Sequence, residues 1–286
     1  MNSERLSPAL YVVATPIGNL EDITLRALRV LKQSDLIACE DTRHTQKLLN
    51  HFGIKTRTVS YHEHNEMSRA VELVKQLEGG ATIALVTDAG MPGISDPGFR
   101  LISEAIKANV PVVPIPGASA FLSALVAGGL PMDSFRFNGF LPAKRGERRK
   151  ALDDVRNSAI PQAFYEAPHR LLETIEDVVE VLGPGRQMVI AREVTKIHEE
   201  FLRARAAELL EMLKARGSVK GEITVLIGKV DRANEESPST LPPSLRQRVE
   251  QIIAEEKVDK KAALKKVAKE RGISKSDAYR EWQRGK

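Results

Sequence analysis

The sequence predicts an α/β protein whose N-terminal half forms a parallel sheet and whose second half adds another α/β domain. Short runs of apolar, often β-branched residues alternate with helical periodicity up to residue 130. This alternation is typical of parallel strands joined by right-handed helical crossovers. Glycine- and proline-containing loops follow three of the runs, and 286 residues with 42% apolar content suffice for two cores.

The N-terminal domain is expected over residues 1–130. Its predicted strands are Leu10–Ala14, Leu36–Cys39, Thr58–Tyr61, Ile83–Val86 and Val110–Ile115. Three loops after strands carry glycine or proline, at Ala14–Asn19, Asp88–Gly93 and Pro116–Ala120. Glycine permits close backbone approach and proline stiffens a turn, so loops at the carboxyl ends of parallel strands build small-molecule sites. We therefore expect an enzyme with a cofactor cleft.

A second α/β domain is expected over residues 131–232, followed by a proline-rich linker at 233–243. Its predicted strands are Phe135–Phe140, Gln162–Tyr165, Met188–Arg192 and Glu222–Ile227. Its predicted helices are Gly146–Asn157, Pro168–Leu182 and Ala204–Lys214. The pattern does not fix the direction of these strands.

The last segment, residues 244–286, predicts a small basic helical unit. Helices are expected at Ser244–Glu256, Lys260–Arg271 and Ser274–Gln283, with Gly272 ending the second and Ser274 capping the third. From residue 245 onward there are 13 Lys and Arg against 7 Asp and Glu, a net charge of +6, whereas the preceding residues carry 30 against 31. The pattern is similar to helix-turn-helix modules and favours a polyanionic partner. A solvated helical hairpin that docks on its own protein is the open alternative.

Composition also limits the cellular setting. The apolar stretches fall short of the ~20 residues of a membrane helix, and the N-terminus lacks a basic region followed by an apolar block, so we expect a cytoplasmic protein. Cys39 is the single cysteine and lies in a predicted strand, which favours a packed, inert thiol.

Six segments together resemble a known family. They are Val13–Leu20, Glu40–Arg43, Asp88–Pro92, Pro116–Ala120, Phe164–Arg170 and Ala191–Glu193. Over about residues 8–230 the chain is similar to the ribosomal RNA small-subunit methyltransferase I family of the tetrapyrrole-methylase-like superfamily. The resemblance implies a two-domain tetrapyrrole-methylase-like fold, with a parallel sheet in the N-terminal domain and a mixed sheet in the second domain, here with the helical unit appended. It also implies S-adenosylmethionine as cofactor, methyl transfer to the ribose 2′-hydroxyl of a cytidine in 16S rRNA, and a homodimer.

The resemblance also implies which residues bind the cofactor. They are Pro16, Ile17, Gly18, Asp88, Gly90, Met91, Ser119, Ala120, Tyr165 and Thr224. Ser119 and Ala120 open a helix, where unpaired N–H groups favour oxygen ligands. Ordinary turn chemistry is the alternative for these loops, and Asp88 alone suits a loop cap equally well.

A ribose hydroxyl is a poor nucleophile until its proton leaves, so the site should offer a base. The candidates for catalysis are Glu40, Asp41, Arg43 and Lys196, with Arg43 and Lys196 suited to a phosphate. A helix N-cap, at Asp41 or Thr42, is the alternative role at this strand end; we prefer that role for Thr42 and expect functional roles for Asp41 and Arg43. His62 and His64 lack further ligands at suitable spacing, and sulfonium transfer needs no metal, so we predict no metal site.

Basic residues suggest two surfaces for RNA phosphates. The candidates are Lys144, Arg145, Arg148, Arg149 and Arg170 in the second domain and Lys265, Lys269 and Lys275 in the last unit. A tetrapyrrole substrate is the first alternative, disfavoured by Thr15, Pro16 and Asn19 in a loop that is glycine-rich and acidic in tetrapyrrole methylases. A ligand-sensing nucleic-acid-binding regulator is the second.

Overall fold

A computed structural model describes residues 5–230, 245–256, 258–271 and 273–284. The chain divides into two compact units, Met1–Val230 and Asp231–Lys286. Both predicted α/β domains lie in the first unit. The predicted linker at 233–243 and the predicted helix end at Gly272 lie outside the described residues.

The first sheet has five strands in the order β3-β2-β4-β1-β5, and every neighbouring pair is parallel. The strands are β1 (Ala9–Val13), β2 (Leu36–Cys39), β3 (Thr58–Ser60), β4 (Thr82–Val86) and β5 (Val112–Ile115). The helices that follow them are α1 (Leu25–Gln33), α2 (Thr42–His51), α3 (Glu66–Glu78), α4 (Phe99–Lys107) and α5 (Ala120–Gly128). The predicted parallel N-terminal sheet is confirmed.

Both faces of this sheet are buried, which explains the continuous apolar runs of its central strands. Successive side chains of β1 alternate between two cores. Tyr11 and Val13 pack with residues of α1 and α2, and Leu10 and Val12 pack with residues of α3 and α4. Because β1 lies between β4 and β5, the strand order reverses at β1, and the loops after these three strands border the crevice where such sheets bind ligands.

The second sheet is mixed, as predicted, with the order β6-β7-β10-β8-β9 and one parallel pair, β6 with β7. Its strands are β6 (Arg136–Phe140), β7 (Gln162–Glu166), β8 (Gln187–Arg192), β9 (Glu200–Arg205) and β10 (Ile223–Ile227). Its helices are α6 (Arg145–Asp154), α7 (Leu171–Leu182) and α8 (Ala206–Arg216). Helix α5 packs against β7, β8 and β10, so it joins the two sheets.

Strand β9 is absent from the sequence-based prediction, which also begins the next helix too early, at Ala204. β9 is an edge strand that pairs with β8 alone. Leu202 and Ala204 pack on the second-domain core, whereas Arg203 and Arg205 alternate with them, and Glu200 adds a third charge to the strand. An edge strand needs no continuous apolar run, and the charged residues of β9 interrupt the apolar pattern by which a strand is recognised in a sequence.

The second unit contains α9 (Leu245–Glu256), α10 (Lys260–Glu270) and α11 (Lys275–Arg284), close to their predicted bounds. Val249, Val267 and Ala278 belong to its buried core. The predicted cap is confirmed, because the Ser274 hydroxyl accepts a hydrogen bond from the Asp277 N–H at 3.1 Å. Among the described residues of the whole chain, no helix combines the length and apolarity that a bilayer crossing requires.

Candidate active site

The loops after β1 and β4 are tied together at the carboxyl edge of the first sheet. Thr15 and Gly90 exchange backbone hydrogen bonds of 2.9 and 3.1 Å, and the Thr15 hydroxyl donates to the Thr87 carbonyl at 3.0 Å. Gly90 has φ of 85°, a conformation that side chains disfavour. The Asp88 carboxylate accepts the Asp41 N–H at 3.2 Å, which fixes the end of β2 to the same loop. Loops predicted from separate segments therefore converge.

A cavity of about 390 Å³ lies between these loops and the second sheet. Seven of the ten predicted cofactor residues line it: Ile17, Gly90, Met91, Ser119, Ala120, Tyr165 and Thr224. Its wall is mostly apolar, and Phe137 and Phe140 pack against Tyr165 with ring centres 4.9 and 5.5 Å apart. The size and the apolar wall suit a small organic ligand.

The residues around this cavity fit S-adenosylmethionine, which has a flat base, hydroxyls, a carboxylate and a positively charged end. Ser119 is the N-cap of α5 but its side chain makes no capping bond, so the Ser119 hydroxyl occupies none of the N–H groups of the first turn, although the Phe121 N–H bonds to the Tyr165 phenol. Aromatic and aliphatic side chains can cover the base, and the carboxylate of Asp96 faces the same cavity.

The other three predicted cofactor residues, Pro16, Gly18 and Asp88, line a second cavity of about 330 Å³. The two cavities share a wall. In the loop after β1, Ile17 lines the first cavity while its neighbours line the second, and the loop after β4 is divided in the same way. The far side of the second cavity is formed by α2, including Lys47.

Asp41, rather than Thr42, is the N-cap of α2, so the preference for Thr42 as the cap is wrong. The Asp41 carboxylate accepts the Arg43 N–H at 2.8 Å and pairs with the Arg43 guanidinium at 3.1 Å. Hydrogen bonds from the Arg43 side chain and backbone hold the pKa of Asp41 below its usual value. Asp41 is therefore a weak base, while the Arg43 side chain is 87% exposed and open to an anionic ligand.

Glu40 and Lys196 are also held by neighbours. Glu40 accepts a hydrogen bond from the Thr87 hydroxyl at 2.9 Å. The Lys196 ammonium contacts Glu193 at 2.8 Å and Glu222 at 3.2 Å. Burial lowers the pKa of Lys196, but the bonds to these two carboxylates outweigh it, so the net shift is upward and the ammonium stays charged.

Lys196 also holds the loop after β1 against the second domain. A Cβ added at Gly18 would lie 2.3 Å from Cγ of Lys196, so the lysine stem crosses directly over the glycine. The contact explains why a glycine suits this position.

Arg148 is fully buried, and its prediction as an RNA contact is wrong. Its Nε donates to the buried Asp177 at 2.8 Å and its Nη1 donates to the Ala143 carbonyl at 3.2 Å. Arg148 belongs to a basic run in the sequence, but its charge is neutralised inside the protein by Asp177, which lies 29 positions away in the chain. Arg145 pairs with the same carboxylate at 3.0 Å from a more exposed position.

The other predicted RNA contacts differ in exposure. Arg149 pairs with Glu180 at the surface, and Lys144 is 82% exposed. Arg170 is 16% exposed and binds the buried Glu166 at 2.6 Å, which gives it a structural partner. In the second unit, Lys265, Lys269 and Lys275 are exposed.

Asp96 is one of the cavity residues that the sequence analysis did not assign to the site, as are Glu166 and Glu222. Asp96 lies three positions beyond the predicted loop ending at Gly93 and next to Pro97, where an aspartate reads as ordinary turn chemistry. Burial, together with the charge of Glu40, raises the pKa of Asp96 to about 6. Shifted carboxylates in a cleft are frequent functional groups.

Cys39 is fully buried, as predicted, and burial raises the pKa of its thiol to about 11. The thiolate is therefore scarce at neutral pH. Within the ranges that the structure describes, no group of three or more His, Cys, Asp or Glu side chains is arranged to hold a metal.

Comparison with known proteins shows which proteins this chain is similar to. The profile of the Tetrapyrrole (Corrin/Porphyrin) Methylases matches residues 9–210. A ribosomal RNA small subunit methyltransferase I from Halalkalibacterium halodurans is 48% identical over 94% of this chain and 93% of its own length. The enzyme of that name from Escherichia coli O157:H7 is 47% identical, with 95% and 93% covered.

Solved structures show the same fold at lower identity. A diphthine synthase superposes with a TM-score of 0.57 at 15% identity, covering 77% of this chain and 89% of its own. A uroporphyrin-III C-methyl transferase from Thermus thermophilus, complexed with S-adenyl homocysteine, gives a TM-score of 0.54 at 18% identity, with 79% and 99% covered.

The fold and the cavity between its sheets define a methylase of the tetrapyrrole methylase class. Within that class, the chain belongs to the ribosomal RNA small subunit methyltransferase I family. The predicted family and fold are thereby confirmed, as are the methyltransferase class and S-adenosylmethionine as its cofactor.

Proposed function

We propose that this chain transfers the methyl group of S-adenosylmethionine to the ribose 2′-hydroxyl of a cytidine in 16S rRNA. The observation that carries the proposal is the 390 Å³ cavity, bordered by loops from three adjacent parallel strands and closed by the second sheet. Identity of 48% to a named rRNA methyltransferase, against 18% to a uroporphyrin methyltransferase, favours RNA over a tetrapyrrole as substrate.

The chain's own residues supply positioning. The donor is already activated when bound, because its sulfonium carries the methyl group. The cavity wall fixes the donor and excludes water, and bringing two reactants to near-attack distance can supply ~7 to 11 kcal/mol of barrier reduction. The ten predicted cofactor residues are proposed to act here, those of the first cavity directly and Pro16, Gly18 and Asp88 by shaping the shared wall.

The proposal is tested with methyl-labelled donor. Purified protein is incubated with 30S subunits, with naked 16S rRNA and with a tetrapyrrole, and the label is traced to the ribose by resistance of the adjoining phosphodiester to alkaline cleavage. Label in RNA ribose is the expected result. Transfer to the tetrapyrrole with none to either RNA would refute the assignment.

The exposed lysines of the second unit are proposed to bind RNA phosphates. Replacing Lys265, Lys269 and Lys275 together by glutamine should weaken binding to 16S rRNA and reduce the slope of log affinity against log salt by about 2, at ~0.7 per lost phosphate contact. Filter binding at several salt concentrations measures the slope. The matched control replaces the exposed Lys32, Lys75 and Lys214 by glutamine. Equal slopes for both triple variants would remove the second unit from RNA recognition.

Arg43 is proposed to hold a phosphate of the substrate beside the active site, with Asp41 orienting its guanidinium. Arg43→Ala should raise KM for RNA about tenfold, because a charge-assisted bond is lost, with donor affinity unchanged. Steady-state kinetics with 30S subunits measure KM. Arg29→Ala, at another exposed arginine, is the control. Unchanged kinetics in Arg43→Ala would exclude the contact.

We further propose that the protein forms a homodimer and acts in the cytoplasm, where rRNA is made. Phe99 and Ile106 of α4 are 77% and 59% exposed, and apolar side chains of this size favour burial against a partner. Sedimentation equilibrium tests the dimer, and a single species of 31.6 kDa would contradict it.

A further inference from the structure

The second cavity, of about 330 Å³, adjoins the cavity that is proposed to hold the donor. In the loop after β1, Ile17 lines the first cavity while Pro16 and Gly18 line the second. In the loop after β4, Ala89 lines the first and Asp88 the second. The volume lies within the ~300 to 1,000 Å³ range of small-molecule pockets. Part of a methyl acceptor could therefore occupy the second cavity while its reacting atom meets the donor at the shared wall.

Helix α2 gives the second cavity a basic side. His44, Lys47, Leu48 and His51 line it, and their spacing of three and four residues places them on one face of the helix. None of the ion pairs between described residues includes His44, Lys47 or His51. The Lys47 ammonium is therefore a hydrogen-bond donor that an acceptor atom of a ligand can use.

The side of the second cavity away from α2 carries a carboxylate, that of Asp88. Its Oδ1 accepts the Asp41 N–H at 3.2 Å, which orients the side chain. Its Oδ2 accepts no hydrogen bond from the described residues, and no ion pair among them includes Asp88. This oxygen can therefore accept a bond from an N–H group of a ligand.

The two sides together favour a nucleobase as the occupant. An anion such as phosphate fits the basic side but is repelled by the Asp88 carboxylate. A base has donors and acceptors along one edge, and its flat faces suit the apolar surface of Pro16, Leu20 and Leu48. Cytosine offers its N4 amino group to a carboxylate, which is a common pairing in base recognition. Uracil has a carbonyl oxygen at that position, and a carboxylate repels it.

We propose that the second cavity binds the base of the target cytidine, with Asp88 accepting a hydrogen bond from N4 and Lys47 donating to an acceptor of the same edge. This rests on the proposed function, and it makes Asp88 a residue that selects cytosine over uracil. The base leaves its stack to enter the cavity, as in other enzymes that act on single nucleotides. Its ribose then lies at the shared wall beside the donor. Arg43, exposed at the start of α2, remains outside for a phosphate.

The test reverses the hydrogen-bonding character of Asp88. Asp88→Asn keeps the size and the oxygen that accepts the Asp41 N–H, but replaces Oδ2 by an amide NH₂, which donates. The substrates are 30S subunits with cytidine or uridine at the methylated position, which labelled transfer locates. In kcat/KM, the preference of wild type for cytidine should fall at least about tenfold in Asp88→Asn, because one base contact typically discriminates by ~1 to 3 kcal/mol. Methylation of the cytidine substrate should slow and that of the uridine substrate should quicken.

A matched control and a binding measurement separate recognition from structure. Asp153→Asn makes the same change at an exposed aspartate of α6 and should keep the wild-type preference. Calorimetric affinity for S-adenosylmethionine should stay within about threefold of wild type in Asp88→Asn, because Asp88 lines only the second cavity. Equal slowing on both substrates would make Asp88 a structural residue of its loop and would overturn the proposal, as would an unchanged preference.

A double-mutant cycle tests whether Lys47 contacts the same base. Lys47→Met should slow methylation of the cytidine substrate about tenfold in wild type and by less in Asp88→Asn, since two contacts to one base are coupled. Lys75→Met, at an exposed lysine of α3, is the control and should have no effect. Additive effects of the Asp88 and Lys47 substitutions would place Lys47 on another part of the substrate and contradict the shared base.

The same assays distinguish the two levels of the assignment. If wild type methylates no RNA, the proposed function itself fails. If wild type methylates the cytidine and uridine substrates equally well, the proposed function stands and the assignment of the base to the second cavity fails.

Discussion

Replacing Arg148 by methionine is expected to lower the free energy of unfolding by about 3 kcal/mol. Both Arg148 and Asp177 have side chains with no solvent exposure, and their ion pair is 2.8 Å long. Removing one partner leaves a buried charge without its counter-charge, which typically costs ~3 to 5 kcal/mol. The lower end applies because Arg145 still contacts Asp177 at 3.0 Å. Urea denaturation followed by circular dichroism measures the loss.

Two further variants isolate the cause. Arg149→Met removes a neighbouring arginine that is 42% exposed, and a surface pair of this kind contributes only ~0 to 1 kcal/mol. The double variant Arg148→Met with Asp177→Leu removes both charges and should recover most of the lost stability. A loss below about 1 kcal/mol in Arg148→Met, or equal losses for Arg148 and Arg149, would contradict the buried pair.

The Arg148 experiment also bears on RNA binding. Because Arg148 has no exposed surface, its replacement should leave the salt dependence of RNA binding unchanged under conditions where the variant stays folded. Lys144, at the N-cap of the same helix, is 82% exposed and pairs with Glu147 at the surface at 3.3 Å. Arg148 and Lys144 are four positions apart in one basic run, but Arg148 is buried whereas Lys144 lies at the surface.

The sequence predicted the central strands of the first sheet well because these strands are buried on both faces. Leu10–Ala14 and Ile83–Val86 are apolar at every position, and the observed strands β1 and β4 agree with them within one residue at each end. β9 escaped prediction because half of its side chains are charged and it pairs on one side only. The apolar pattern of a strand reflects how much of it is buried, so an edge strand with charged residues, such as β9, is harder to recognise in the sequence.

The candidate site was predictable to the extent that backbone shape determines it. Glycines and prolines in three loops indicated the crevice. The three loops lie together because they follow β4, β1 and β5, which are neighbours in the sheet. The sequence could not show that the loop after β1 divides its residues between two cavities, since Ile17 and Gly18 are adjacent in the chain. The environments of Arg148 and Asp96 were equally hidden, because both depend on residues distant in sequence.

Filling the first cavity at Ala120 should abolish most donor binding. Ala120 is half-buried, lines the cavity and begins α5, so a phenylalanine there occupies space proposed for the donor. The affinities for S-adenosylmethionine and S-adenosylhomocysteine should both fall at least 100-fold in calorimetry, about 2.7 kcal/mol. The phenylalanine ring would enter empty cavity space and would displace no core side chain, so the melting temperature should change little.

Ala127→Phe is the matched control, because it makes the same change at an exposed position of the same helix, outside both cavities. It should bind both ligands like wild type. If Ala120→Phe also bound them like wild type, the donor would have to lie elsewhere, and the second cavity, which Ala120 does not line, would become its site.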